Sequence, residues 1–339
     1  LRIFSSWRDL PASARGASVA LGNFDGVHRG HAQVLAAAHA ARPEAPRAVL
    51  TFEPHPREMF RPDDPPFRLT LSAERAAALG SLGAALLFEL QFDRAFSAMT
   101  AEEFVAEVLH RGLGARHLVC GADYAFGHRR GGNAAFLAER SEALGIGLTL
   151  VPALADTEGP ISSTRIRRLL QEGYPERAAA LLGRPWTIRG TVEHGDARGR
   201  TIGFPTANVA LGRHLEPARG VYAVQVQLAD GRRVPGVANI GRRPTLGEAP
   251  ESRVEAHLFD FSEDLYGQEV GVSLLAFLRE ERKFANFGAL KEQIAADAAQ
   301  ARQVLRQGSA LDPLGASRDE RASGASRDER ASGATSPDP

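Results

Sequence analysis

At 339 residues the chain is longer than one hydrophobic core usually supports, so two domains and an appendage are expected. Apolar residues make up 43% and charged residues 24%, and 41 basic residues cancel 41 acidic ones. That balance argues against nucleic acid as a partner, because a protein that grips it by neutralising phosphates carries a broad positive field. The lone Cys120 excludes an internal disulfide framework and a thiolate zinc cage, and fits a reducing cytoplasm. No run of about 18 apolar residues and no basic-then-apolar leader is present, so neither a membrane span nor a secretory signal is expected.

The strands predicted in the first half are ASVALGNF, RAVLTFEP, AALLFEL, RHLVCGAD and LTLVPAL. Helical stretches separate several of them, which predicts a parallel α/β sheet. TAEEFVAEVLHRG predicts a helix with Thr100 and Glu103 as its capping box, Phe104, Val105, Val108 and Leu109 on one face, and Gly112 at its end. PERAAALLG, from Pro175 to Gly183, closes a first unit of residues 1–183. Beyond Arg184 the rhythm changes to strands without helices between them: WTIRGTVE, GVYAVQVQL, RRVPGVANI, RVEAHLFD and QEVGVSLLAFL. With a hairpin signal at Asp230-Gly231, they predict an antiparallel β-barrel. A C-terminal helix near Asn286 to Gln307, with Phe287, Leu290, Ile294, Ala301 and Leu305 as its buried stripe, completes a second unit, 184–308. GASRDERAS then occurs twice in tandem from Gly315 to Ser332, and the tail 309–339 is too hydrophilic to bury a core.

GNFDGVHRGH, Gly22 to His31, joins a predicted strand to a predicted helix. Ligands of open α/β sheets bind at such turns, and a helix start offers unpaired N–H groups and a positive dipole end to a phosphate. Gly22, Gly26 and Gly30 let the backbone approach, and His28 and His31 project beside the same anion, where they can donate to oxygens whose charge grows during transfer at a nucleotide's α-phosphorus. Two histidines three apart are also a metal-ligand spacing, and a capped core helix with incidental histidines is a third reading. The dinucleotide fingerprint GxGxxG and the Walker lysine are both missing.

The decapeptide resembles the HxGH signature of nucleotidyltransferases, in the form found in bacterial bifunctional riboflavin kinase/FMN adenylyltransferases. FEPHP (Phe52 to Pro56), GADYAFG (Gly121 to Gly127) and ISSTRIR (Ile161 to Arg167) resemble three further motifs of that family, in the family's order. The resemblance implies a Rossmann-like nucleotidyltransferase half in which Gly22, Phe24, Asp25, Gly30, Asp123, Ser163, Thr164, Arg165 and Arg167 meet the nucleotide. It implies that Asn23, His55, Pro56, Tyr124 and Phe126 meet the flavin, with Tyr124 standing where the family usually has Phe. From the residues alone, Ser162, Ser163 and Thr164 can equally cap a helix, and Pro54 and Pro56 hold His55 outward on a stiff strand end.

In the second half, TVEHGDARGRTIGFPTANVAL carries the most specific signal, since GFPTAN (Gly203 to Asn208) resembles the riboflavin kinase motif. Gly195, Gly199 and Gly203 can shape a loop whose N–H groups face phosphates, with Arg198 and Arg200 supplying positive charge; a solvated hairpin is the bland reading. Thr206 and Asn208 offer oxygen to a hard ion, and Mg2+ bridging nucleotide phosphates is the implied metal. RVEAHLFDFSEDLYG resembles the segment that supplies the kinase's carboxylate and places Glu255 there; in a strand, Glu255 and His257 face away from Val254, Ala256 and Leu258. ANIGRRPT, with Arg242, resembles a stretch lining the flavin pocket. The resemblance thus implies riboflavin, ATP, FMN and FAD as substrates or products, in a kinase step followed by an adenylyl transfer. A nucleotidyltransferase with another acceptor and a flavin-binding regulator without chemistry remain the alternatives, and self-association is not readable from the residues.

Overall fold

A computed structural model describes residues 1–194, 204–243 and 251–309. Its N-terminal half is built on six parallel strands, β1 (Arg2–Phe4), β2 (Ser18–Leu21), β3 (Arg47–Glu53), β4 (Leu86–Gln91), β5 (His117–Gly121) and, beyond a small hairpin of β6 (Ala125–Phe126) and β7 (Gly132–Asn133), β8 (Gly147–Val151). The spatial order is β1-β4-β3-β2-β5-β8. The central strands read as continuous apolar runs because both faces are covered: Val19, Ala20, Val49, Leu50, Leu87, Phe88, Leu118 and Val119 are all fully buried. The chain moves to one side of β2 through β3 and to the other through β5, so the switch point lies between β2 and β5, at their carboxyl ends.

All five predicted strands of this half are present, and β1 is an addition. With three residues at a sheet edge and Ile3 exposed, β1 has too little apolar pattern to announce itself. The helix at Thr100 begins with the expected capping box and buries Phe104, Val105, Val108 and Leu109, but Phe104–Gly112 is wound as a π-helix.

A second hairpin, β9 (Ala155–Asp156) with β10 (Gly159–Pro160), precedes the helix Ser163–Gln171. After the helix Pro175–Leu182, six antiparallel strands close into a barrel in the order β11 (Trp186–Glu193), β12 (Ala207–Ala210), β15 (Glu251–Leu258), β14 (Arg233–Arg243), β13 (Gly220–Gln227), β16 (Glu269–Glu280). Five of these were predicted; the sixth, β12, is the end of the GFPTAN motif, too short to show an alternation of its own. The Asp230-Gly231 turn joins β13 to β14, with Gly231 in the left-handed region.

The C-terminal helix, Phe287–Ser309, packs on the barrel through part of its predicted stripe: Ala301 is fully buried and Leu305 packs against the same cluster. Phe287, at the helix start, is instead 62% exposed. The same face also buries Asp297, paired with Arg279 at 2.7 Å, a charged contact that apolar periodicity does not mark. The duplicated GASRDERAS segment lies outside the described residues.

The two halves share one apolar interior. Leu69, Ile166, Leu169 and Leu181 pack in the same cluster as Trp186, Val209, Val224 and Val272 of the barrel. Polar contacts cross the same seam: the Trp186 indole N–H donates to the Leu69 carbonyl at 2.8 Å, and His214 bonds the Glu74 carboxylate at 2.9 Å.

Candidate active sites

At the carboxyl ends of the sheet strands lies a cavity of about 880 Å3. The turn Gly22–His28 forms one wall of it and is tightly bent: Phe24, Gly26 and Val27 have φ of 52°, 81° and 42°. A β-branched residue in that region is strained, typically by about 1–3 kcal/mol, so the surroundings must hold it. They do so from four directions. The Thr51 hydroxyl donates to the Asn23 carbonyl at 3.0 Å, and the Gly26 N–H donates to Thr70 Oγ1 at 2.9 Å. The Asp25 carboxylate accepts from the Leu69 and Thr70 amides, each at 3.0 Å, and from Arg167 at 2.6 Å. The Ser163 hydroxyl donates to the Asp25 carbonyl at 2.9 Å, and the Arg184 guanidinium donates to the carbonyls of Gly26 and Val27 at 2.8 and 2.9 Å.

His28 caps helix α1 (Arg29–Ala41) in a reciprocal arrangement. Its Nδ1 accepts from the His31 amide, and Nδ1 of His31 accepts from the His28 amide, both at 3.3 Å. A ring nitrogen that accepts carries no proton, so in each neutral imidazole the proton sits on Nε2, leaving two Nε2–H donors. The rings stack with centroids 3.6 Å apart. Burial lowers the His28 pKa to about 4, opposed by Asp25 and reinforced by Arg167 and Arg184. Burial likewise pushes His31 well below its ordinary value, helped by His28 and Arg184. Both are therefore neutral donors at pH 7. Gly30 is glycine for a steric reason, since a Cβ there would lie 3.1 Å from the His28 ring.

Much of the rest of the cavity is aromatic. Phe52, Phe60, Phe92, Phe96 and Phe104 line it together with Tyr124 and Phe126, which stack at 5.4 Å. Burial raises the Tyr124 hydroxyl pKa, so the ring stays neutral. Phe60, Phe92 and Phe96 were not singled out from the sequence, Phe52 entered only as the first residue of FEPHP, and Phe104 was read as core; the four-residue spacing of Phe88, Phe92 and Phe96 likewise reads as core.

The structure brings almost all the predicted first-site residues to this cavity: Gly22, Asn23, Phe24, Asp25, His28, Gly30, His31, His55, Pro56, Asp123, Tyr124, Phe126, Ser163, Thr164 and Arg167 line it. Two expectations change. Arg165 turns away to the β9–β10 hairpin, where it pairs with Asp156 at 2.7 Å and Glu158 at 2.9 Å. His55 points inward and is only 9% exposed, because its Nδ1 accepts the Arg57 amide and caps the short helix Pro56–Phe60. The metal-ligand reading of the histidine pair finds no support, as no group of three or more His, Cys, Asp or Glu side chains among the described residues could hold a metal ion.

On the barrel, Asn208, Glu255 and Asn239 stand in one row across β12, β15 and β14. Val254 and Ala256, on either side of Glu255, are fully buried in the barrel, so this row occupies the opposite face, as the alternation predicts. Asn208 is 4% exposed and its Oδ1 accepts no hydrogen bond, while Nδ2 donates to the Thr206 carbonyl at 3.4 Å. A buried amide oxygen without a donor suits a hard cation. Asn239, absent from the predicted set, is placed beside Glu255 by register alone. Arg242 pairs with Glu216 at 2.6 Å, and Glu216 also accepts from Arg219 and Ser252. Gly195, Gly199, Arg200 and Gly203 lie outside the described residues.

Two sites on two folds are matched by two family models, FAD synthetase over residues 10–165 and riboflavin kinase over residues 182–305. The bifunctional riboflavin kinase/FMN adenylyltransferase of Escherichia coli K12 is 40% identical over 294 residues, covering 86% of this chain and 94% of the relative. The chain belongs to the bifunctional riboflavin kinase/FMN adenylyltransferase family. The Bacillus subtilis member is 38% identical over 285 residues, 82% of this chain and 89% of its own. The crystal structure of a macrolide-efflux protein from Streptococcus pneumoniae shares the fold, with a TM-score of 0.80 and 35% identity over 88% of this chain and 98% of that one. In this chain no described helix is long and apolar enough to cross a membrane.

Proposed function

We propose that this bifunctional enzyme assigns one transfer to each half, residues 1–183 and 184–308, and works in the cytoplasm on small molecules without nucleic acid. In the barrel, the ribityl 5′-hydroxyl of riboflavin attacks the γ-phosphorus of ATP; the new O–P bond gives FMN, the bond to the β-phosphate oxygen breaks, and ADP leaves. Glu255 orients that hydroxyl and accepts its proton. Thr206 and Asn208 would hold Mg2+, which when bound neutralises phosphate charge. The orphaned Asn208 Oδ1 supports this.

In the α/β half, a phosphate oxygen of FMN attacks the α-phosphorus of a second ATP, and the bond to the β-phosphate breaks to release pyrophosphate and form FAD. The nucleophile already carries charge, so no protein nucleophile is needed and positioning with charge stabilisation carries the rate. His28 and His31 donate from Nε2 to the α-phosphate oxygens, Ser163, Thr164 and Arg167 meet the nucleotide, and the aromatic wall takes the isoalloxazine ring. Arg165 and Asp25 act on the nucleotide indirectly, through the hairpin and the turn they hold. Asn23, His55 and Pro56 border the flavin.

The observation that carries the reading is the reciprocal cap that leaves Nε2–H as the donor on both His28 and His31, two residues that line a cavity rich in aromatic side chains. Incubation of the purified chain with riboflavin, ATP and Mg2+, followed by chromatography, tests it: FMN appears first and FAD follows, and FMN with ATP yields FAD directly. Quenching of flavin fluorescence without any product would refute it.

A further inference from the structure

The segment joining the two halves reaches into the adenylyl-transfer turn. The helix Pro175–Leu182 ends at Gly183, whose left-handed conformation (φ 77°) is closed by its amide bonding to the Ala179 carbonyl at 2.8 Å. Pro185 and Trp186 follow, and the Trp186 indole is fixed to the Leu69 carbonyl. Between these two anchors Arg184 turns inward. Its fork spans two successive carbonyls, Gly26 and Val27, directly before His28. Val27 is the β-branched residue held at φ 42°. The carboxylate that acts on Arg184 is Glu74, and that group is already bonded to the Leu71 amide and to His214.

We infer that Arg184 is a positioning residue for adenylyl transfer: from the junction of the two halves it pins the strained carbonyls ahead of His28, fixing where the two imidazole donors point. This rests on the roles proposed above for His28 and His31. A guanidinium does this better than an ammonium, because its two donors are held in one rigid plane that fixes both carbonyls in direction as well as distance. The same charge also bears on protonation. The groups that face the imidazole pair are Asp25 of the turn, Arg167 of the helix Ser163–Gln171, Arg184 of the junction, and each ring for the other. Asp25 favours a proton on His28 and the two arginines oppose it. A proton on Nδ1 of either ring would break the reciprocal cap, so Arg184 guards the neutral form as well as the geometry.

The test uses the full chain and measures FAD formation from FMN and FMN formation from riboflavin side by side. Arg184→Gln is expected to lower kcat for FAD formation about ten- to hundredfold, the cost typical of a small displacement of catalytic groups. KM for FMN and the rate of FMN formation stay near wild type. The acidic limb of the pH profile for FAD formation moves to higher pH. Arg184→Lys, which keeps the charge but not the rigid planar fork, leaves that limb in place and loses part of kcat. Equal loss of both activities in both variants would make Arg184 a folding residue and overturn the inference, as would an unmoved acidic limb in Arg184→Gln or an effect confined to KM. Loss of FAD formation in His28→Ala with full activity in Arg184→Gln overturns this inference alone. Full FAD formation in His28→Ala overturns the underlying assignment as well.

Discussion

Asn208 and Glu255 face each other across the antiparallel pair β12–β15, placing an orphaned amide oxygen opposite a carboxylate on one face of the barrel. If the first holds a metal and the second handles the riboflavin hydroxyl, the two should fail differently. Glu255→Gln is expected to abolish most FMN formation with the Mg2+ requirement unchanged. Asn208→Ala should raise the Mg2+ concentration needed for half-maximal rate, and chelation by EDTA should stop FMN formation in the wild type. Titration of Mg2+ against initial rate distinguishes them; a Glu255 variant rescued by extra Mg2+ would contradict the assignment.

His28→Ala should do the reverse of Glu255→Gln. Removal of one pre-aimed donor typically costs about 100- to 1000-fold in turnover, so FAD formation falls by that factor while FMN accumulates. Chromatography of flavins over time reads both steps in one experiment, and parallel loss of both in a folded variant would sink the division of labour.

Gly30→Ala separates stability from activity. Alanine in a helix interior is favoured over glycine by roughly 0.5–1 kcal/mol, which here is set against a tight new contact, so the melting temperature should change by little or fall slightly. The new Cβ lies 3.1 Å from Cε1 of His28, whose ring is pinned by stacking on His31 and cannot yield freely. FAD formation should drop about tenfold, as expected for a small misplacement of the donor. Calorimetry paired with the FAD assay checks both halves of this expectation.

Acid should destabilise the fold through its buried imidazoles. His28 and His55 titrate near 4 in the folded chain against 6.5 ordinarily. Between those values the unfolded chain binds protons that the folded chain refuses, so stability present above about pH 6.5 is lost progressively down to about pH 4. Glu53, held below its ordinary value by Arg68 and Arg75 against the effect of burial, adds its own loss at lower pH. Melting temperatures measured across this range should fall, and the slope between pH 6.5 and 5 should be shallower in a His28→Gln, His55→Gln double variant. A flat wild-type profile there would show that the rings are not held neutral.

The parts of the molecule legible in its sequence were those where one local rule decides the outcome. The strand–turn–helix at Gly22 to His31 is marked by glycines and by a helix start, and the face that Glu255 takes on β15 follows from strict alternation. What escaped depends on contacts that no motif or repeat announces. Arg165 stands in a motif that invites a phosphate, yet Asp156 and Glu158 claim it through a hairpin that short polar residues do not advertise. His55 turned inward because its ring caps a five-residue helix too short to show periodicity. The buried Asp297–Arg279 pair and the aromatic wall of the cavity are tertiary facts, invisible until the elements carrying them are packed.

The apolar interior common to both halves carries a consequence for how the enzyme could be divided. Leu169 and Leu181 on one side of Pro185, and Val209 and Val272 on the other, are walls of a single room. Cutting the chain there would bare oily surface on both fragments. The two catalysts should therefore denature together as one cooperative unit, and their separation into free-standing proteins would demand new polar residues along the seam.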